Sequence, residues 1–171
     1  EFSQLEAGRL ALREVRFEPE TLAREVTTLF DASARERGLK FTCEFTAAVP
    51  SALVGDPQRL RQIFLHLVGN AFKFTPRGHV KVALDATAVT TGDPSRVTLR
   101  FSVSDSGIGI AADRLESIFG AFQQIDSSST RKFGGNGLGL PLARGLARLM
   151  GGDVQVESSE RRVGKSSSRR A

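Results

Sequence analysis

The chain has 171 residues, 40% of them hydrophobic, and a net charge of +5. That length suits one domain with a short appendage, no apolar run is long enough to span a bilayer, and the opening "EFSQLEAGRL" has no secretory h-region. Five of the 24 basic residues fall in the last eleven positions, "RRVGKSSSRRA", with no acid among them; the remainder holds 19 basic and 19 acidic residues, so the basic character belongs to a tail and gives the body no nucleic-acid signature.

In chain order, "SQLEAGRLALREVRFEP" is mixed and reads as the end of a helix running into a connector. It starts without Met, as a piece cut from a longer protein would. Leu22, Val26, Leu29 and Phe30 recur at helical spacing from Glu20 to Arg37, and Gly38 closes that helix. "LKFTCEFTAA" alternates as a strand, with Cys43 a small buried or half-buried side chain; a single Cys excludes an internal disulfide and fits a reducing compartment. "VPSALVG" reads as a loop. Asp56 and Pro57 are an N-cap and an N1 proline, and the helix they start runs to Phe74, before "TPRG". Two strands follow, "HVKVALDATAV" and "RVTLRFSVSD", then a short helix over 112–119 and a polar, glycine-rich loop. A helix from Leu138 to Met150 carries Leu142, Leu146 and Leu149 on one face, and "DVQVES" reads as a last strand. The order predicts an α+β fold: a two-layer α/β sandwich whose mixed, mostly antiparallel sheet is covered on one face by helices.

Three places can carry chemistry. On the helix from Asp56, Leu60, Ile63, Phe64, Leu67, Val68 and Ala71 form the apolar stripe, and His66, Asn70 and Lys73 follow at i, i+4 and i+7 along its border. An ordinary amphipathic boundary would look the same, but an amide oxygen at Asn70 suits Mg²⁺ and Lys73 could meet a phosphate. In "VTLRFSVSDSGIGI", Val97, Leu99, Phe101 and Val103 share the inward face, and Asp105 continues their series. A buried carboxylate needs donors; it either ends the strand in a solvated turn or faces a pocket, where Gly107 and Gly109 leave room for a flat ligand with an exocyclic amine. The third place is "KFGGNGLGL", with four glycines in the six positions 134–139 directly before a helix, and Arg131 and Lys132 just ahead. Backbone amides, a helix dipole and two cations converge there on an anion.

Two rival templates fail. "GIGIAA" matches a dinucleotide fingerprint, but no second parallel strand ending in an acid follows its helix. "SERRVGKS" has the end of a P-loop without its first glycine or its helix.

Together the three places resemble the catalytic, ATP-binding domain of sensor histidine kinases, within the gyrase-like ATPase superfamily with the Bergerat fold. "DPQRLRQIFLHLVGNAFKFTPRG" is similar to that family's N box, "DSGIGI" to its G1 box, "IFGAFQQID" to its F box, and "STRKFGGNGLGLPLARGLARLMGG" to its lid and G2 box. The wording is closest to the hybrid kinases. The resemblance implies ATP and Mg²⁺ as cofactors, with Asn70 on the metal, Lys73 on phosphate and Asp105 on the adenine amine. Gly107 and Gly109 would shape the base pocket, and Gly135, Gly137, Leu138, Gly139 and Leu140 would present lid and helix amides to the phosphates. Arg131 and Lys132 would be lid contacts, and Phe119 and Phe122 would brace the lid. It implies transfer of the γ-phosphoryl to a histidine on a separate dimerisation domain, a receiver domain downstream, no nucleic acid, a monomeric fragment of a homodimeric parent, and a cytoplasmic location whose parent can be anchored in the inner membrane. The expected organisation is 1–18 as the end of the dimerisation helix and connector, 19–160 as the ATP-binding unit, and 161–171 as a disordered tail.

Four features depart from the family pattern. His66 stands where hydrolytic relatives carry a general-base Glu, and Asn136 where Thr is commoner. Neither His66 nor His79 lies in an acceptor motif, and a basic Ser-rich stretch replaces the usual closing strand. Slow hydrolysis, an effect of His66 on phosphotransfer and little autophosphorylation of the isolated chain follow. A catalytically inactive module of the same fold, binding nucleotide or protein, is the alternative.

Overall fold

The computed structural model describes residues 2–88, 95–115, 117–120 and 137–158. Its elements are α1 (Phe2–Glu6), β1 (Val15–Phe17), α2 (Pro19–Arg37), β2 (Lys40–Phe45), β3 (Leu53–Gly55), α3 (Pro57–Phe74), β4 (His79–Ala88), β5 (Val97–Asp105) and α4 (Gly139–Leu149), with single 3₁₀ turns at Ala112–Arg114 and Ser117–Phe119. β4 is the middle strand of the larger sheet. It pairs in parallel with β2, from Lys40 opposite His79 to Phe45 opposite Leu84, and antiparallel with β5, from Val80 opposite Asp105 to Ala88 opposite Val97. A parallel pair needs a crossover, and α3 lies in that crossover, which brings it onto the sheet between α2 and α4.

One face of β4, with Val80, Val82 and Leu84 fully buried, meets the helices. Val26, Val68, Ala143 and Leu146 close the core from α2, α3 and α4, and Phe64 stacks on Phe101 of β5 with ring centroids 3.7 Å apart. The opposite face stays partly open and carries the Lys81–Glu44 ion pair. This is the predicted α+β sandwich with a mixed sheet.

Helix ends follow the sequence signals. Gly38 adopts φ 62°, so that its N–H donates to the Arg35 carbonyl and the Leu39 N–H to that of Ala34, closing α2. Asp56 caps α3: Oδ1 accepts from the Gln58 and Arg59 amides at 3.1 Å each, and Oδ2 accepts from the Arg13 amide at 2.9 Å. One buried carboxylate thus starts the helix and ties the connector to it. Asp56→Ala is expected to cost about 2–3 kcal/mol, since it removes a cap and leaves a further donor unpaired; the urea midpoint measures this, and Asp56→Asn should lose less. By contrast, a Cβ on Gly69, inside α3, would meet nothing within 4 Å. Gly69→Ala should therefore raise stability by about 0.5–1 kcal/mol, through helix propensity and a smaller unfolded ensemble.

Four expectations need correction. "VPSALVG" contains β3, and the connector contains β1; the two pair antiparallel as a separate small sheet, with Val15 opposite Gly55. At three residues each, neither is long enough for alternation to show. Leu29 is 64% exposed, because small residues at Ala23 and Ala34 rotate the buried face of α2 away from it. The helix expected over 112–119 is two 3₁₀ turns among its described residues. In "DVQVES", the segment forms only an isolated bridge at Glu157. There Asp153 accepts from its neighbour's amide, Val154 N–H, at 2.9 Å, a local bond that competes with a strand ladder. Arg144 and Arg148 hold that carboxylate, and the Arg144 bond brings its pKa down to about 2.

Candidate functional site

The site is built along α3. His66, Asn70 and Lys73 lie half-buried in a row, beside the buried stripe of Ile63, Phe64, Leu67, Val68 and Ala71. The first turn of α4 comes down on this row: a Cβ on Gly139 would stand 3.2 Å from the His66 Nδ1. A side chain at 139 would have to push the imidazole aside, so glycine there sets how close the two helices approach. Leu138 occupies the N-cap of α4 and has no side-chain acceptor to offer its first amides; Gly137 before it takes φ 66°. Leu140 in the first turn packs against the core. Lys73 extends over its neighbour, with Nζ 5.0 Å from the Phe74 ring centroid.

At the other end of the row stands Asp105, the last residue of β5, 6% exposed. Its Oδ1 accepts from the Gly107 amide at 2.8 Å and from the Thr75 hydroxyl at 3.3 Å. The carboxylate therefore faces inward and is held by donors, rather than ending the strand in water. Gly107 sits in a closed notch, where a Cβ would run into the Phe74 carbonyl oxygen and stand 2.7 Å from Thr75 Oγ1 and 2.8 Å from Asp105 Oδ1. The Ile108 amide donates to that same Phe74 carbonyl at 3.2 Å, and Gly109 follows with φ 82°. The end of α3 and the "DSGIG" loop are laced together by these bonds.

From His66 to Thr75 the α3 backbone rises roughly 13 Å. A buried acceptor thus lies at one end, a helix N-terminus beside the other, and an amide and an ammonium side chain between them. Such an arrangement suits an elongated ligand with a hydrogen-bond donor at its head and anionic groups along its tail. A hard cation also fits. Asn70 offers one oxygen, and among the described residues no group of three His, Cys, Asp or Glu side chains could enclose a metal. A cation bound here would take its remaining ligands from water and phosphate, which is the habit of Mg²⁺.

Of the residues expected from sequence, the structure brings Asn70, Lys73 and His66 into one row, sets Gly139 against His66, and gathers Asp105 and Gly107 at the row's end. Phe119 lies under the guanidinium of Arg144, 4.3 Å from its ring centroid. Phe122, Arg131, Lys132, Gly135 and Asn136 lie outside the described residues. Sequence reasoning missed Thr75. Its signal is a hydroxyl residue two places after Lys73, masked because "TPRG" reads as a helix stop. A cavity of about 940 Å³ opens elsewhere, beside the starts of α2 and α3, and none of these residues lines it.

The site thus joins a helix-covered mixed sheet, a buried carboxylate at a strand end and a polar helix stripe. The chain belongs to the histidine kinase-, DNA gyrase B- and HSP90-like ATPase family, whose sequence pattern matches residues 55–168. It is 38% identical over 162 residues to the signal transduction histidine-protein kinase BarA of Escherichia coli, covering 95% of this chain and 17% of BarA. It is 41% identical over 167 residues to the hybrid signal transduction protein dokA of Dictyostelium discoideum, again a small part (10%) of that protein. Among solved structures, full-length ShkA in complex with AMPPNP aligns over 99% of this chain and 32% of its own, at 33% identity and a TM-score of 0.78. The nucleotide-free catalytic domain of histidine kinase ThkA aligns over 94% of this chain and 93% of its own, at 25% identity and a TM-score of 0.67. This chain thus spans less than a fifth of the length of BarA and of dokA. Among the described residues, no helix is long and apolar enough to cross a membrane.

Proposed function

We propose that this chain is the ATP-binding catalytic domain of a two-component sensor histidine kinase, and that it donates the γ-phosphoryl of Mg·ATP to a histidine on a separate dimerisation domain. The observation that carries this is the inward, donor-held carboxylate of Asp105 at one end of the His66–Asn70–Lys73 row. Asp105 accepts from the adenine amine, and Gly107 and Gly109 shape the base pocket. Asn70 contributes an oxygen to Mg²⁺, Lys73 meets a phosphate, and the amides at Gly137, Leu138, Gly139 and Leu140 face the phosphate tail. Gly135, Arg131 and Lys132 complete the lid side. Bound Mg²⁺ neutralises charge on the phosphate oxygens. An imidazole nitrogen of the partner domain attacks the γ-phosphorus, the bond from that phosphorus to the β,γ-bridging oxygen breaks, and ADP leaves. The chain's contribution is orientation and charge stabilisation. His66 flanks the phosphate end in place of a carboxylate base, which disfavours activation of water and leaves the phosphoryl for the partner.

Residues 1–18 then form the end of the dimerisation helix and its connector, 19–160 the catalytic unit and 161–171 a tail. The parent is a cytoplasmic-facing homodimer that passes phosphate to a receiver domain. The test is to mix the chain with γ-labelled Mg·ATP and a separately expressed helical dimer bearing the parent's acceptor histidine. Acid-labile label on the added dimer, and none on this chain, is the expected result. Nucleotide binding without any transfer would instead identify an inactive regulatory module of the same fold.

A further inference from the structure

We infer that Arg37, at the last turn of α2, is a positioning residue for base recognition: it fixes the end of α3 so that Thr75 can hold the Asp105 carboxylate in its base-reading orientation. The inference rests on the assignment of Asp105 to the adenine amine. Arg37 is 35 and 38 residues away from its partners in sequence. Its Nη1 donates to the Phe72 carbonyl at 2.8 Å and its Nη2 to the Thr75 carbonyl at 2.6 Å. The last carbonyls of a helix have no partner inside it, and α3 ends at Thr75 without a left-handed cap, at φ −116° and ψ 88°. The planar guanidinium supplies two donors in a fixed fork, and places its charge at the negative end of the α3 dipole.

The consequence travels through one residue. Thr75 has no exposed surface, its carbonyl is held by Arg37, and its hydroxyl donates to Asp105 Oδ1. The Gly107 amide donates to the same oxygen, so both bonds pin Oδ1. Between the two bonded carbonyls of Arg37, the Phe74 carbonyl accepts from Ile108 and walls the Gly107 notch. Releasing the fork lets the last turn of α3 unwind, and the Thr75 hydroxyl moves with it. A loss at Thr75 and Asp105 affects how the base amine is read, whereas Lys73, in the same last turn, moves with it and weakens both nucleotides alike; Asn70 and α4, a turn or more away, keep their geometry.

The experiment compares, by calorimetric titration of the whole chain with Mg²⁺, a non-hydrolysable ATP analogue and the matching purine riboside triphosphate, which lacks the exocyclic amine. Wild type should prefer the adenine compound. In Arg37→Met the preference for the adenine compound should fall about tenfold, beyond any loss shared by both nucleotides through Lys73. Arg37→Lys, which keeps the charge but not the fork, should fall between, and Thr75→Val should reproduce the loss without adding to it in the double variant. If Arg37→Met unfolds, Arg37→Lys and Thr75→Val still decide the matter. An equal loss for both nucleotides, or an unchanged preference in folded variants, overturns the role of Arg37 while leaving the site intact. Wild type that binds neither nucleotide, or an Asp105→Asn variant that keeps full preference, instead overturns the assignment of Asp105, and the role of Arg37 with it.

Discussion

Asp105→Asn is expected to weaken binding of an ATP analogue about 30- to 100-fold, roughly 2–3 kcal/mol, with little change in the fold. The side chain keeps its size, so packing around β5 is retained. What changes is the inventory of donors and acceptors. The carboxylate offers two acceptor oxygens, and Oδ1 already serves the Gly107 amide and the Thr75 hydroxyl. An Asn has one acceptor and one NH₂ group. If its oxygen stays with Gly107 and Thr75, its NH₂ group faces the ligand amine, donor against donor. If it flips, the NH₂ group faces the Gly107 amide inside a site 6% exposed. Either way a buried donor is left unsatisfied, and the lost charge weakens whichever bond remains. Calorimetric titration measures the loss, and near wild-type affinity would show that the ligand head is not read at Asp105.

Gly107→Ala should be more damaging to the fold, costing about 2–3 kcal/mol of stability and removing nucleotide binding together with it. The added methyl has nowhere to go, since its neighbours would be the Phe74 carbonyl oxygen, Thr75 Oγ1 at 2.7 Å and Asp105 Oδ1 at 2.8 Å. The first is backbone at the end of α3, and the other two are buried and bonded to each other. Relief requires either that the loop leave α3, which breaks the Ile108 bond to Phe74, or that Asp105 rotate away from Thr75. The urea midpoint and the titration together read both effects. A variant as stable as wild type would mean that the loop shifts freely, and that glycine at 107 serves only the ligand. Set beside Gly69→Ala in the same region, the pair separates glycines that make room from one that only lowers helix propensity.

Helices and central strands were legible in the sequence because their signals are local. Asp56 and Pro57 announce the start of α3, Gly38 the end of α2, and the alternation from Val80 to Leu84 the buried face of β4. Asp105 was legible for the same kind of reason: a carboxylate in register with Val103 on an inward face must find donors. The polar row at 66, 70 and 73 follows from helical geometry alone. Elements of three residues were not legible, because β1 and β3 each exist only through the other, across almost forty residues of chain. Leu29 was misplaced because periodicity counts large apolar side chains, whereas the packed face of α2 also runs through Ala23 and Ala34. In "DVQVES", the alternation of burial survives, with Val154 inside, but the Asp153 side chain takes the first backbone donor.

By itself, then, the sequence determined the fold class, the polar row of α3, the place of Asp105 in the series of Val97, Leu99, Phe101 and Val103, and the glycines ahead of α4, since each is dictated by spacing along a single helix or strand. Only the tertiary structure decided which groups hold Asp105, why Gly107 admits no side chain, how close α4 comes to His66, and that Arg37 closes α3. Those are contacts between elements distant in sequence, and no periodicity within one element encodes the partner that packing will deliver to it.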